Sequence, residues 1–157
     1  MSQRDRDWMQ RALMLAAHGI YTTHPNPNVG CVLVDVKGRV LSTGYNGRAR
    51  GLPNCNDEFD TPTGLTMPFA CPNSDAPAGE PNGCESIHAE QNALLQCKNI
   101  DDVHTAYVTI APCLVCVKML MNTGCQRIVF EQTYAYPDAE RLWRSTGREW
   151  LHLPSVR

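Results

Sequence analysis

"TAYVTIAPCLVCVKMLMNTGCQRIVF", residues 105 to 130, decides the fold. Its opening, "TAYVTI" (105–110), is rich in β-branched and aromatic residues and reads as a strand. "CLVCVKMLMNTG" (113–124) reads as a helix that Gly124 ends. "RIVF" (127–130) is a strand again. A strand–helix–strand unit implies parallel strands joined by a right-handed crossover.

The same rhythm extends in both directions. "VGCVLVDV" (29–36) is a continuous apolar run, as expected of a strand covered on both faces. Lys37-Gly38 turns it into "RVLSTGYNG" (39–47), which predicts a hairpin. Ahead of it, residues 6 to 18 place Trp8, Ala12, Leu15 and Ala16 on one helical face, with Gly19 as a stop. Residues 88 to 98 read as a helix whose apolar face is Ala89, Ala93, Leu94 and Cys97. Downstream, "PDAERLWRST" (137–146) is a helix with Pro137 in its first turn, and "EWLHL" (149–153) a last strand. These elements imply an α/β sandwich with a mixed sheet. One segment breaks the pattern. Residues 47 to 86 hold Pro53, Pro62, Pro68, Pro72, Pro77 and Pro81 among many Asn and Gly, and so long an insertion is usually functional or disordered.

Composition narrows the class. A chain of 157 residues buries one sizeable core, so a single domain over residues 1–157 is expected. Hydrophobic residues are 43% and charged residues 19%, as in folded globular proteins. A net charge of −2 argues against binding a nucleic acid polymer. No apolar run is long enough to span a membrane. "MSQRDRDWMQ" is charged and lacks a secretory apolar region, so a cytoplasmic location is expected. Eight cysteines are many for such a chain, and in a reducing compartment clustered cysteines ligate metals or catalyse. Cys31, Cys97 and Cys125 read as small hydrophobes.

Cys113 and Cys116 stand apart by their spacing. At i and i+3 on a helix start, both sulfurs face one way, and the helix N-terminus favours thiolates. Alone, the pair suits two corners of a zinc site, a redox dithiol or two core cysteines. His88 begins the preceding helix, and two parallel helices on one side of a sheet have neighbouring N-termini. His88, Cys113 and Cys116 then make three protein ligands, leaving a fourth position to water as catalytic zinc sites do. Glu90 is two residues from His88, so it is turned away on the helix and is a poor co-ligand. As a first-turn acid it also suits the helix dipole. Beside these ligands it reads as the base that moves protons at the metal.

His88-Ala89-Glu90 followed by Pro112-Cys113-Leu114-Val115-Cys116 matches the H-x-E…P-C-x-x-C signature of zinc nucleobase deaminases. Over roughly residues 5 to 153 the chain resembles the cytidine deaminase superfamily, and within it the deoxycytidylate (dCMP) deaminases, bacteriophage members included. "HAEQNALL" with Asn92, "GYNGRARG" (44–51), "NPNVGCVLV" and the stretch with Tyr134 and Asp138 carry that resemblance.

The resemblance implies a three-layer α/β/α sandwich with a five-stranded mixed sheet, assembled as a homo-hexamer. It implies zinc-dependent hydrolysis of dCMP to dUMP and ammonia, feeding thymidylate synthesis, with Glu90 as the catalytic group. Asn28, Asn46, the Ala89 backbone and Tyr134 would contact the substrate. Arg48, Arg50 and Lys118 are candidates for its phosphate. Activation by dCTP and inhibition by dTTP, bound with Mg2+, would involve Tyr45, Asn46, Gly47, Arg48 and Arg50. By the same resemblance, His24, Cys55, Cys71 and Cys84 are candidates for a second, structural zinc in the insertion. Other readings are a deaminase of dCTP, cytidine or tRNA adenosine, a riboflavin-pathway deaminase, and a zinc-binding module without activity.

Overall fold

The apolar runs of the sequence become the centre of one sheet. The computed structural model describes residues 1–18, 27–52, 58–60, 66–68, 85–134 and 137–154. The chain forms α1 (Gln3–His18), β1 (Gly30–Val34), β2 (Val40–Tyr45), β3 (Gly47–Arg48), β4 (Glu58–Asp60) and β5 (Thr66–Pro68). There follow β6 (Ser86–Ile87), α2 (Ala89–Gln96), β7 (Thr105–Ile110), α3 (Leu114–Met121), β8 (Arg127–Gln132), α4 (Pro137–Arg144) and β9 (Glu149–His152).

The main sheet has the order β2-β1-β7-β8-β9. β1 is antiparallel to both β2 and β7, whereas β7, β8 and β9 run parallel. It is the mixed five-stranded sheet that the sequence predicts. Side chains alternate across it. Cys31, Leu33, Ala106, Val108, Ile128, Phe130 and Trp150 pack with residues of α2, α3 and α4. Val32, Val34, Tyr107 and Val129 face α1 through Met9 and Ala12. The layers are therefore α1, sheet, and the three remaining helices.

Asp5 ties α1 to its face of the sheet. It sits buried under the first turn, accepts the Tyr107 hydroxyl at 2.7 Å and lies 3.3 Å from the Arg127 guanidinium. The Ser2 N–H also donates to it, and Ser2 Oγ in turn accepts the Asp5 N–H, a reciprocal cap. Burial alone would raise the Asp5 pKa. The hydrogen bonds from Tyr107, Ser2 and Arg127 outweigh it and hold the carboxyl at about 2.

Two details differ from the sequence reading. The stretch 39–47 is not one strand: β2 ends at Tyr45 and the chain changes partner at Asn46. Asn46 Oδ1 accepts the Val29 N–H at 2.9 Å and its Nδ2 donates to the Pro27 carbonyl at 2.9 Å, replacing ladder bonds. β3 then pairs with β6, Gly47 opposite Ile87, so the ends of the insertion are clipped together. Gly124 is also not a left-handed helix stop. It is absent from the positive-φ glycines Gly38, Gly51 and Gly147, and α3 closes three residues earlier. Gly124 is small because a Cβ there would lie 2.8 Å from Val103 O.

Candidate active site

Gly44 explains how α2 reaches the sheet. A Cβ at this position of β2 would overlap the Ala89 carbonyl oxygen and lie 2.5 Å from Ala93 N. With hydrogen there instead, the first turn of α2 rests on the strand. Asn92 Nδ2 donates to the Tyr45 carbonyl at 2.8 Å and fastens the same helix to the end of β2. His88 is the N-cap of α2, and Cys113 is the N-cap of α3. Both helices start at the sheet edge where β1 begins and β2, β7 and β8 end.

His88, Cys113 and Cys116 converge there. His88 Nδ1 is 3.5 Å from Cys113 Sγ and 3.3 Å from Cys116 Sγ. All three donor atoms lie within 4.8 Å of one another, and they form the one such group among the described residues. A tetrahedral zinc with bonds of roughly 2.0 Å to nitrogen and 2.3 Å to sulfur needs N···S edges of about 3.6 Å. The donor set and its spacing fit Zn2+.

The electrostatics agree with a site made for a cation. Cys113 is lowered to about 4, chiefly by the Cys116 thiol donating to it, with His88 adding to the effect against burial. The Cys116 thiol is raised, first by that same hydrogen bond to Cys113, then by burial and the charge of Glu90. His88 is raised by its hydrogen bond to Cys113.

Glu90 is 4% exposed, on the first turn of α2. Burial pushes its carboxyl up to about 7, against the hydrogen bonds it accepts from its own N–H and from Cys116. It stands beside the three donors without belonging to the group they form. A carboxyl that titrates near neutrality at a metal site can both accept and return a proton.

The remaining candidates fall into distinct places. Ala89 is fully buried beneath Gly44. Asn28 and Tyr134, both half-buried, lie just before β1 and just after β8, at the same edge of the sheet as His88. Asn46 has one amide contact on each side already given to Pro27 and Val29, so it also shapes the backbone there. Tyr45 is partly exposed and stacks on His18 at 5.4 Å. Gly47 is buried in β3, Arg50 and Lys118 are exposed, and Arg48 pairs with Glu85 at 2.8 Å. His24, Cys55, Cys71 and Cys84 lie outside the described residues.

Gln91 was not legible as a site residue. Its Oε1 accepts the His88 N–H at 2.9 Å and its Nε2 reaches Met119 Sδ of α3 at 3.8 Å. The sequence signal was present, since a Gln three residues after a helix cap is the capping-box pattern.

A family model described as the cytidine and deoxycytidylate deaminase zinc-binding region matches residues 2–132. The chain belongs to this family. It is 35% identical over 109 residues to the deoxycytidylate deaminase of Saccharomyces cerevisiae, which covers 68% of this chain and 31% of that protein. It is 34% identical over 132 residues to the riboflavin biosynthesis protein RibD of Escherichia coli, with 80% and 26% covered. The chain thus spans less than a third of the length of these two relatives. The deoxycytidylate deaminase of Mycobacterium phage D29 is 36% identical over 103 residues, with 65% of this chain and 76% of that protein covered. The structure of a dCMP deaminase from the cyanophage S-TIM5, in complex with dCMP and dUMP, shares the fold. Its TM-score is 0.68 at 24% identity, over 98% of this chain and 99% of that one.

Proposed function

We propose that this chain hydrolyses dCMP to dUMP and ammonia. The observation that carries the reading is the buried Glu90 carboxyl beside the His88–Cys113–Cys116 donor set. Bound by those three residues, Zn2+ supplies Lewis-acid activation of water. Glu90 takes a proton from the attacking water and delivers it to N3 of the cytosine ring. A second proton passes through Glu90 to the exocyclic amine, whose bond to C4 breaks as the C4 carbonyl forms. One water enters and one ammonia leaves. Asn28, Asn46, the Ala89 backbone and Tyr134 hold the base and sugar, which their common place at one sheet edge supports.

The choice of dCMP draws on the yeast and phage relatives named for that activity. The RibD relative motivates a second reading, an aminopyrimidine of the riboflavin pathway. Regulation by dCTP and dTTP with Mg2+ belongs to the same proposal and rests on the resemblance of the Gly44–Gly51 motif, and a homo-hexamer rests on the resemblance of the whole chain to the family. The test is ammonia release from dCMP, dCTP, cytidine, adenosine-containing tRNA and a ribosylaminopyrimidine. Glu90→Gln should lower kcat on dCMP by about 10²- to 10⁴-fold while zinc content stays at that of the parent protein. A variant with undiminished turnover would remove Glu90 from the mechanism, and activity on another member of the panel alone would replace the substrate.

A further inference from the structure

The metal donors come from two helices that are fastened to different parts of the fold. α2 is tied to β2. Ser42 Oγ donates to the Ala93 carbonyl at 2.7 Å, Gln96 Nε2 to the Thr43 carbonyl at 3.2 Å, and Asn92 Nδ2 to that of Tyr45. α3 is held from the other edge of the sheet, where β9 lies. Its Val117 and Leu120 are buried in the core shared with Trp143 and Trp150, and the Arg148 guanidinium donates to the Met121 carbonyl at 3.0 Å. None of these anchors sets the spacing of α2 from α3, on which the His88–sulfur distances depend.

Gln91 spans that gap. Its Oε1 accepts the His88 N–H at 2.9 Å, which leaves Nε2 to face α3, 3.8 Å from Met119 Sδ. An amide turned the other way would set two donors against each other at His88, so the network fixes its orientation. Apart from the groups of the metal site, this is the side-chain bond that crosses from α2 to α3 among the described residues. Met119 stands three residues after Cys116, one turn further along the same helix. At the other end, His88 meets both sulfurs through Nδ1, the ring nitrogen nearer its own Cα. A small rotation of the His88 backbone therefore moves the donor atom, and the N–H that Gln91 holds belongs to that backbone.

From this arrangement we infer that Gln91 is a positioning residue for the metal centre: its amide joins the His88 backbone to α3 and so sets the distance from the imidazole to the two thiolates. The inference deepens the zinc reading given above and rests on it. Gln and Glu serve equally at the third position of a capping box. Only the amide can also donate across to a neighbouring helix, so the cap by itself does not account for this side chain. Outer groups that orient metal ligands are commonly worth about 10- to 100-fold in metal affinity.

The experiment follows zinc loss to a chromogenic chelator, the visible d–d bands of cobalt-loaded protein and thermal unfolding. It compares the parent with Gln91→Ala, Met119→Leu and the double variant. Gln91→Ala should release zinc about 10-fold faster and shift the cobalt bands. Met119→Leu conserves volume at a partly exposed site and leaves the cap in place, so its Tm should stay within about 1 °C of the parent. It should still release zinc about 2- to 5-fold faster, the thioether being a weak acceptor. The double variant should match Gln91→Ala, because one bond cannot be lost twice. Additive effects of the two substitutions overturn the bridge. So does a Gln91→Ala protein with lowered Tm but parent-like zinc release and cobalt bands, since Gln91 would then be a helix cap and no more. Should Gln91→Ala fail to fold, Met119→Leu decides, and parent-like release there refutes the inference. A parent protein that retains neither metal sinks the ligand set and the bridge with it. One that retains zinc and is indifferent to both substitutions sinks the bridge alone.

Discussion

Replacing Gly44 by alanine should loosen the metal site from beneath. The added Cβ would stand 2.5 Å from Ala93 N and closer still to the Ala89 carbonyl oxygen. Both are backbone atoms of α2, so no side chain can rotate to make room. Restoring an ordinary contact of at least 3.4 Å requires α2 to retreat by roughly 1 Å. His88 caps this helix, whereas Cys113 and Cys116 belong to α3, so the movement opens the His88–sulfur distances from 3.3 and 3.5 Å toward 4 Å or more. A zinc ion bridging tetrahedrally needs edges of about 3.6 Å. Overpacking of this kind costs about 1–3 kcal/mol, which lowers Tm by roughly 3–10 °C in a chain of this size. The assay pairs thermal unfolding with the rate at which a chromogenic chelator removes zinc from the folded protein. Tm should fall and zinc release should accelerate together. A variant that melts within about 1 °C of the parent and releases zinc no faster would refute the argument that Gly44 sets the seat of α2.

Cys113→Ser replaces a thiolate by a hydroxyl; in cobalt-loaded protein the sulfur charge-transfer absorption should be roughly halved, as two thiolate ligands become one. Full intensity in that variant would exclude Cys113 as a ligand. Asp5 has a folded-state pKa of about 2 against an ordinary 3.8, so its stabilisation is complete above the ordinary value and disappears as pH falls through the folded one. Asp5→Asn should therefore cost about 1–2 kcal/mol in urea unfolding at pH 7, and the gap should close toward pH 2. A gap that stays constant across that range would show that the charge contributes nothing. Gly124→Ala should destabilise by about 1–3 kcal/mol, because its Cβ would press on the Asp101 and Val103 backbone, yet zinc retention should be unaffected. Accelerated zinc loss there would mean that the loop before β7 is coupled to the site.

The main sheet was legible because burial on both faces writes itself into contiguous sequence. β1 and β7 are almost wholly buried, and each was visible as an apolar or β-branched run. The convergence of His88, Cys113 and Cys116 was legible for a different reason: each sits at a helix start, and helix starts leave local marks. What escaped was contact at long range. Nothing near Asp5 announces Tyr107 and Arg127, more than a hundred residues away along the chain. The bonds of Asn46 to Pro27 and Val29 likewise depend on two segments meeting in space. β3 and β6 are two residues long, too short for any periodicity to reveal their pairing. Gly124 showed the limit of residue-type rules, since a glycine beside a helix end can be there for closeness alone.

The pairing of β3 with β6 also separates the length of the insertion from the stability of the sheet. With Gly47 and Ile87 held opposite each other, the insertion leaves the fold and rejoins it at one place. The entropy of closing such a loop grows only logarithmically, and each doubling of its length adds about 0.6 kcal/mol. A change in the number of residues between the two clipped strands is therefore met first by the β3–β6 pairing, ahead of β2 and α2. The clip thus isolates the neck of the insertion from the strand and helix that carry Gly44 and His88.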